Sequence, residues 1–294
     1  MVVTDLVEIC HRVGARIPHW TQGKGGNISV KEADHLWIKA SGARLHDVSM
    51  SRGIACVDLK RFESLRRTRP GEAEAEAWYA RALTECATAG ARPSMETGFH
   101  ALLPARWVVH FHSLASMVLA HEYQRGPELV TDFLHGHGRS TVTFVPAEIP
   151  GWNLSLRLLD RADGDAFVLA NHGVVLQGSD PGSMVEEWER VERAFCREWG
   201  VGQLVDFGAR LARDELAGRA FRAYFPDAVV FRDGIVACSR EGTASVPAAR
   251  DGIDALEMLE AMTLLEKTCP ELAELDPTQC AAIATLPTET FRRA

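Results

Sequence analysis

Trp107-Val108-Val109-His110-Phe111-His112 is an apolar run that carries two imidazoles at positions i and i+2. Read as a strand, it alternates its side chains between two faces, so His110 and His112 project to one side and Val109 and Phe111 to the other. Two imidazoles on one face of a buried strand lose hydration that a single hydrogen-bonded core histidine does not, and a shared metal ion is the simplest compensation. A third histidine, His172, lies in the tight turn Ala170-Asn171-His172-Gly173 between two further apolar runs, and Glu96 precedes the strand by one helix's length. Three nitrogens with a nearby carboxylate suit a catalytic divalent metal that keeps one coordination position open.

Each of these residues also has a plain reading. His172 alone is a turn residue beside Asn171 and Gly173, which tolerate positive φ. Glu96 alone is a carboxylate in the first turn of a helix that Ser94 caps, where the helix dipole favours it. The histidine pair lifts both above those readings, and a carboxylate next to an open metal site is either a fourth ligand or a general base. His135-Gly136-His137 repeats the i, i+2 spacing, but set among Gly136, Gly138 and Arg139 it reads as a mobile surface loop. Such a loop is able to reach a substrate, yet it is too loose to hold a metal. His11, His19, His35, His46, His100 and His121 have no partner at ligand spacing.

Upstream, Gln22-Gly23-Lys24-Gly25-Gly26-Asn27-Ile28-Ser29 offers backbone N–H groups, an amide and a lysine, a composition that can hold a phosphate. It is not a Walker A loop, because no Ser or Thr follows the Gly-Lys pair at a helix start. Ser41-Gly42-Ala43-Arg44 is a second small polar turn that adds donors, with Lys39 or Arg44 as sources of charge.

Around these segments the periodicity predicts a first helix on Leu6, Ile9, Cys10 and Val13, with Thr4 as N-cap and Gly14 as stop. Strands follow at Asn27–Val30, Leu36–Ala40 and Ile54–Asp58, with a polar connection over Arg66–Gly71. Glu72–Ala89 is rich in Ala and Glu and predicts a helix ended by Gly90. A short helix Thr97–Leu103 leads to the histidine strand, Ser113 caps a helix over Leu114–His121, Asp165–Leu169 and Val174–Gln177 form a hairpin-like pair, and Gly182–Trp199 is a long helix. Beyond Gly200-Val201-Gly202 come a helix, a short pair Ala228–Phe231 and Ile235–Cys238 around Arg232-Asp233-Gly234, a polar stretch to Pro247 and two more helices. The texture divides the chain into residues 1–200, which contain every chemically suggestive residue, and an accessory extension over 201–294.

With 294 residues and 46% hydrophobic composition, the chain can build one sizeable core plus an appendage. A net charge of -8 without any Lys/Arg block argues against nucleic acid as a partner. No apolar run reaches the roughly 18 residues needed to cross a bilayer, and the N-terminus lacks a leader pattern. The expectation is a cytoplasmic protein with no membrane partner. Its seven cysteines lack any Cys-x-x-Cys and read as buried reduced thiols.

Taken in order, Gly25-Gly26-Asn27-Ile28-Ser29, Trp37-Ile38-Lys39-Ala40-Ser41-Gly42, Pro93-Ser94-Met95-Glu96-Thr97 with His100, Val109-His110-Phe111-His112-Ser113 and Ala170-Asn171-His172-Gly173 resemble the class II aldolase/adducin family. The likeness is strongest to its longer, rhamnulose-1-phosphate aldolase-like branch. It spans about residues 5 to 200, and Tyr224-Phe225-Pro226-Asp227-Ala228-Val229-Val230-Phe231 resembles that branch's C-terminal extension. The resemblance implies an α/β fold, a three-layer α/β/α core with a mainly antiparallel central sheet, plus a small, mostly helical extension. It implies a homotetramer with active sites between subunits, zinc held by His110, His112 and His172, and Glu96 as a resting ligand or base. It also implies a substrate phosphate held by Gly26, Asn27, Ser41, Gly42 and Ser94. Met95 stands where fuculose-phosphate-type members carry a second Ser, removing one hydroxyl donor. Their acidic tyrosine has no clear counterpart, leaving Tyr123, His135, His137 or a neighbouring subunit's residue as the second acid/base.

The resulting expectation is a metal-dependent aldolase that cleaves a ketose 1-phosphate, or a related hydroxy-ketone, to an enediolate donor and an aldehyde. Zinc leads as the metal, and Mn2+, Co2+ and Fe2+ also accept nitrogen with oxygen. The same scaffold supports sugar-phosphate epimerases, methylthioribulose-1-phosphate-type dehydratases, decarboxylases and iron-dependent oxygenases. A non-catalytic, adducin-like module is the remaining alternative, and it has no need of three histidines and a glutamate.

Overall fold

The structure is a computed structural model that describes residues 2–16, 20–71, 74–138, 141–199, 211, 213–241 and 250–287. The histidine run forms β5 (Trp107–Phe111), buried at every position. On one side it pairs with β1 (Asn27–Glu32), which leads outward to β2 (His35–Lys39), β3 (Ile54–Asp58) and β4 (Ala87–Gly90). On the other side it pairs with β8 (Gly173–Gly178), followed by β7 (Ala166–Leu169) and β6 (Thr143–Val145). All these pairings are antiparallel except β6 with β7.

Strand alternation divides the core into two faces. Trp107, Val109 and Phe111 point into a cluster with α1 (Val2–Gly14), α5 (Leu114–Arg125), α6 (Pro127–Gly136) and α8 (Pro181–Glu198). Phe111 is stacked on Trp20 at 4.4 Å and meets Trp188 edge-on, which fixes the strand from behind. The opposite face, with Val108, is covered by α2 (Leu59–Arg67), α3 (Ala75–Cys86), α4 (Thr97–Leu102) and α7 (Trp152–Leu159). The molecule therefore has the expected three layers.

After α8, the described chain continues as α9 (Arg213–Leu216), α10 (Pro226–Val230), α11 (Arg232–Glu241), α12 (Arg250–Thr268) and α13 (Pro277–Thr285). Phe225, Ala228, Ile235, Met258, Leu259 and Met262 join the same apolar cluster as α1, α5 and α8. The expected change of texture at Gly200–Gly202, like the polar stretch to Pro247 over 242–249, lies outside the described residues. Among the described residues no helix is long and apolar enough to cross a membrane.

Several local expectations are corrected. The helix expected over Glu72–Ala89 stops at Cys86, and Ala87–Gly90 becomes the edge strand β4. Past Cys86 the residues are exposed and offer no apolar face to bury, whereas the open edge of β3 supplies ladder partners. The polar connection over Arg66–Gly71 begins inside α2, which Asp58 caps by accepting the Arg61 N–H at 2.9 Å. The pair Ala228–Phe231 and Ile235–Cys238 is helical: Pro226 sets the first turn of α10, and Ile235 with Cys238 bury at helical spacing. His135-Gly136-His137 is the end of α6 rather than a loop. The first helix begins at Val2, so Thr4 lies inside it and is not its cap.

Candidate metal centre

The antiparallel register builds the site, because β1 and β8 both begin where β5 ends. Asn27 is paired with His110 across β1 and β5, and Val174 with Phe111 across β5 and β8. The turn into β8 places Asn171 at φ 55, a left-handed conformation that Asn tolerates. Its side-chain amide donates to the carbonyls of Tyr224 at 3.1 Å and Ala273 at 2.7 Å. His172 follows, and Gly173 starts the strand. Gly26 sits at φ 69, where a Cβ would approach the His110 carbonyl oxygen to 3.0 Å; only glycine lets the loop press so close to β5.

His110, His112 and His172 are buried, as is Glu96. One potential ligand atom from each lies within 4.8 Å of every other. The Nε2 atoms of His110 and His112 are 3.1 Å apart, Glu96 Oε1 is 3.1 Å from His172 Nε2, and Glu96 Oε2 is 3.4 Å from His110 Nε2. Donors about 2.0–2.2 Å from a common ion sit roughly 3.3–3.6 Å apart when arranged tetrahedrally around it, so these separations are close to those of a shared cation. His110 Nδ1 lies 2.9 Å from the Val174 carbonyl. A carbonyl only accepts, so Nδ1 carries the proton and Nε2 presents its lone pair to the centre. Burial pushes the His110 ring down to about 3, against the pull of the Glu96 carboxylate toward the charged form. The residues present therefore fit a divalent metal.

Glu96 stands at the N-cap of α4 and does not cap it; the expected position inside a helix capped by Ser94 is corrected to this. Ser94 Oγ instead accepts the Glu96 N–H at 3.3 Å. Tyr79 clamps the same turn, donating its hydroxyl to the Met95 carbonyl at 2.7 Å and accepting the Gly98 N–H at 2.6 Å. Burial alone would raise the Glu96 carboxyl, but the His110, His172 and His112 rings outweigh it and hold the group well below the usual carboxylate range. Asn27 Nδ2 donates to Glu96 Oε2 at 2.6 Å and to Ser94 Oγ at 3.1 Å. The Asn27 carbonyl oxygen is thereby turned toward His100 Nε2, which must donate, so His100 Nδ1 accepts from the Ser29 hydroxyl at 2.7 Å. Burial, seconded by His110, keeps His100 well below its ordinary value and neutral. His100, without a sequence partner at ligand spacing, thus supports Glu96 through Asn27.

Gly26, Asn27, Ser41, Gly42 and Ser94 all line the cleft above the histidines, and Met95 lines it with them. Lys39 donates to the carbonyls of Lys24 at 2.7 Å and Gly26 at 2.8 Å, so its charge sits beneath the glycine loop. Arg44 pairs with Asp254 and with Glu257, the latter at 3.0 Å, and Glu257 also accepts the Gly23 N–H at 2.7 Å. Helix α12 therefore braces the loop.

The suggested second acid/base residues lie elsewhere in this chain. Tyr123 stacks on Phe144 at 3.7 Å, His137 pairs with Glu198 at 2.8 Å, and neither of these nor His135 lines the cleft. Sequence reasoning missed Asp227, whose carboxylate lies 3.0 Å from His112 Nδ1 and lines the cleft with Pro226 and Val230 of α10. The Pro-Asp pair at 226–227 is an ordinary helix start, so its sequence carries no distinguishing signal.

Comparison with known proteins bears on the family and the fold. The family model for the Class II Aldolase and Adducin N-terminal domain matches residues 4–198. No curated protein matches the sequence. Among solved structures, the N-terminal class II aldolase domain of a conserved protein from Thermoplasma acidophilum is 23% identical, with a TM-score of 0.54 over 66% of this chain and 92% of that one. YgbL from Klebsiella pneumoniae is 23% identical with a TM-score of 0.49, covering 69% of this chain and 92% of its own. An L-fuculose 1-phosphate aldolase is 19% identical with a TM-score of 0.48, covering 73% and 92% respectively.

Proposed function

The chain belongs to the class II aldolase and adducin family, and from that premise we propose that it is a divalent-metal-dependent aldehyde-lyase. Its reaction is the retro-aldol cleavage of a ketose 1-phosphate or related hydroxy-ketone. The observation that carries this reading is the convergence of buried Glu96 with His110, His112 and His172 at the floor of a cleft rimmed by two small polar turns. A divalent ion held there, zinc first and Mn2+, Co2+ or Fe2+ next, would supply Lewis acidity toward a carbonyl oxygen.

The chain's own residues supply the rest. Glu96 is ionised, one oxygen is held by Asn27 and the other lacks a hydrogen-bond donor. It is suited to hold or move a proton at the donor carbon. Gly26, Asn27, Ser41, Gly42 and Ser94 would bind the anionic end of the substrate through backbone and side-chain donors. The floor is buried, which excludes water from the reacting atoms and strengthens each charge interaction. The proton for the departing aldehyde needs a second group. Tyr123, His135 and His137 do not line the cleft and would serve only across subunits of the homotetramer expected for the family.

We read residues 1–200 as the catalytic unit and 201–294 as an extension of the longer, rhamnulose-type branch, whose α10 and α13 line part of the cleft. The test is to incubate metal-loaded protein with ketose 1-phosphates and identify products. Release of a free aldehyde is expected. An epimer, a dehydrated product, carbon dioxide or oxygen uptake with ferrous iron would assign one of the other family reactions instead, and absence of stoichiometric metal would point to a non-catalytic module. Sedimentation of the same sample tests the tetramer.

A further inference from the structure

We propose that Asp227, on the C-terminal extension, is a positioning residue for His112: its carboxylate holds the imidazole that presents Nε2 to the metal centre. The inference rests on the metal-binding reading above and goes beyond it, since it makes the extension part of the centre.

The three histidines differ at Nδ1, where His172 has no hydrogen-bond partner. His110 is fixed by the Val174 carbonyl, while His112 faces Asp227 Oδ2 at 3.0 Å with both side chains about 5% exposed or less. His112 Nε2 is the nitrogen that approaches His110 Nε2. A ring that ligates through Nε2 carries its proton on Nδ1, and a carboxylate facing that proton fixes the tautomer and raises the basicity of the ligating nitrogen. The contact is a close charge approach that falls outside hydrogen-bond alignment.

The surrounding backbone is shaped around this pair. A Cβ on Gly25 would lie 2.8 Å from His112 Nδ1 and 2.9 Å from Asp227 Oδ2. The loop therefore closes over the contact only because residue 25 has no side chain. From the other side, Asp227 is set by Pro226 at the start of α10, by buried Phe225 and by the Phe231 N–H on its own carbonyl at 3.0 Å. Three residues earlier, the Tyr224 carbonyl accepts from Asn171, the neighbour of His172. One short segment thus grips both histidine-bearing turns. Asp227 is not among the four groups whose ligand atoms converge, which argues for support of a ligand rather than ligation.

The full-length chain and its Asp227→Asn, Asp227→Ala, Asp227→Glu and Gly25→Ala variants are compared for Co2+ affinity by chelator competition. The visible absorption of the cobalt form and the thermal unfolding of metal-free protein are recorded alongside. Asp227→Asn is expected to weaken Co2+ binding about 10- to 100-fold and to shift the visible bands, with Asp227→Glu restoring part of both. Wild-type affinity and an unchanged spectrum in both Asp227→Asn and Asp227→Ala would overturn the proposal. So would weakened binding with an unchanged spectrum and no recovery in Asp227→Glu, the signature of a structural role alone. If Asp227→Asn and Asp227→Ala do not unfold cooperatively, Asp227→Glu decides, with Gly25→Ala, whose Cβ meets His112 directly, as the reference for a displaced ring: a spectral shift in Asp227→Glu supports the proposal, and unchanged affinity and spectrum overturn it. A wild-type chain that takes up no Co2+ would remove the metal reading itself, an outcome distinct from wild-type binding that Asp227 does not affect.

Discussion

Asn27 lies directly opposite His110 across the β1–β5 ladder, and its amide reaches past that pairing to Glu96 at 2.6 Å. One asparagine therefore links the strand that carries two candidate ligands to the carboxylate that completes the set. Removing it leaves a buried, ionised acceptor without its donor. Asn27→Ala is expected to cost about 2–3 kcal/mol of stability in the metal-free protein, the scale for a hydrogen bond to a charged group. Urea unfolding measures this, and a change below about 0.5 kcal/mol would show that the linkage carries no weight.

Glu96→Gln keeps the shape and removes the charge. Turnover is expected to fall by at least ~100-fold, the usual scale for a general base, while the three imidazoles retain metal. Elemental analysis beside kcat separates the two effects; unimpaired turnover would remove Glu96 from the chemistry.

Asn171 occupies a left-handed conformation and donates to two carbonyls of the extension. Asn171→Ala loses both bonds and meets a backbone conformation that alanine resists, so a loss of about 2–4 kcal/mol is expected. Asn171→Gly keeps the conformation and should be milder. Equal melting temperatures for the two variants would contradict this account.

Glu192 introduces a pH dependence. Burial pushes its carboxyl up to about 7, against the lowering effect of its contacts with Ser113 and Trp188. The folded state thus holds this proton more tightly than the unfolded chain does. The contribution is fully present below the ordinary carboxylate value of 4.5 and is lost as pH rises through about 7. Its size is on the order of 3 kcal/mol. Denaturant titrations from pH 4.5 to 8 should show wild-type stability declining relative to Glu192→Gln; parallel curves would sink the assignment.

Metal should also stabilise the fold. A ligand that binds only the native state at about 100 times its Kd adds roughly 2.7 kcal/mol. Chelation is therefore expected to lower the melting temperature, and Zn2+ to restore it; insensitivity to both would tell against the centre.

The parts of this arrangement that were legible in the sequence share a cause. His110 and His112 are fixed to one face by strand alternation, and the glycine loop and Ser113 cap declare themselves through local conformation. Glu96 and His172 could be added because each flanks an element whose type is strongly patterned. What could not be read depends on distant partners. Ala87–Gly90 is a strand because β3 has an open edge, and the four-residue run at Ala228 does not distinguish helix from strand by itself. Asp227 becomes part of the site only when the extension folds back onto the glycine loop. The helix α2 is a different case, since Asp58 followed by Leu59, Phe62 and Leu65 was a readable cap and apolar stripe.

The bonds from Asn171 to Tyr224 and Ala273 span 53 and 102 residues. During synthesis from the N-terminus, β5 and its two histidines leave the ribosome long before the segment that fastens the turn of His172. The completed cage is consequently a late product of folding, formed when α12 and its following loop have emerged and docked. Premature capture of an ion by the nascent chain would then be disfavoured, because the nitrogens that would trap it are not yet held at one point.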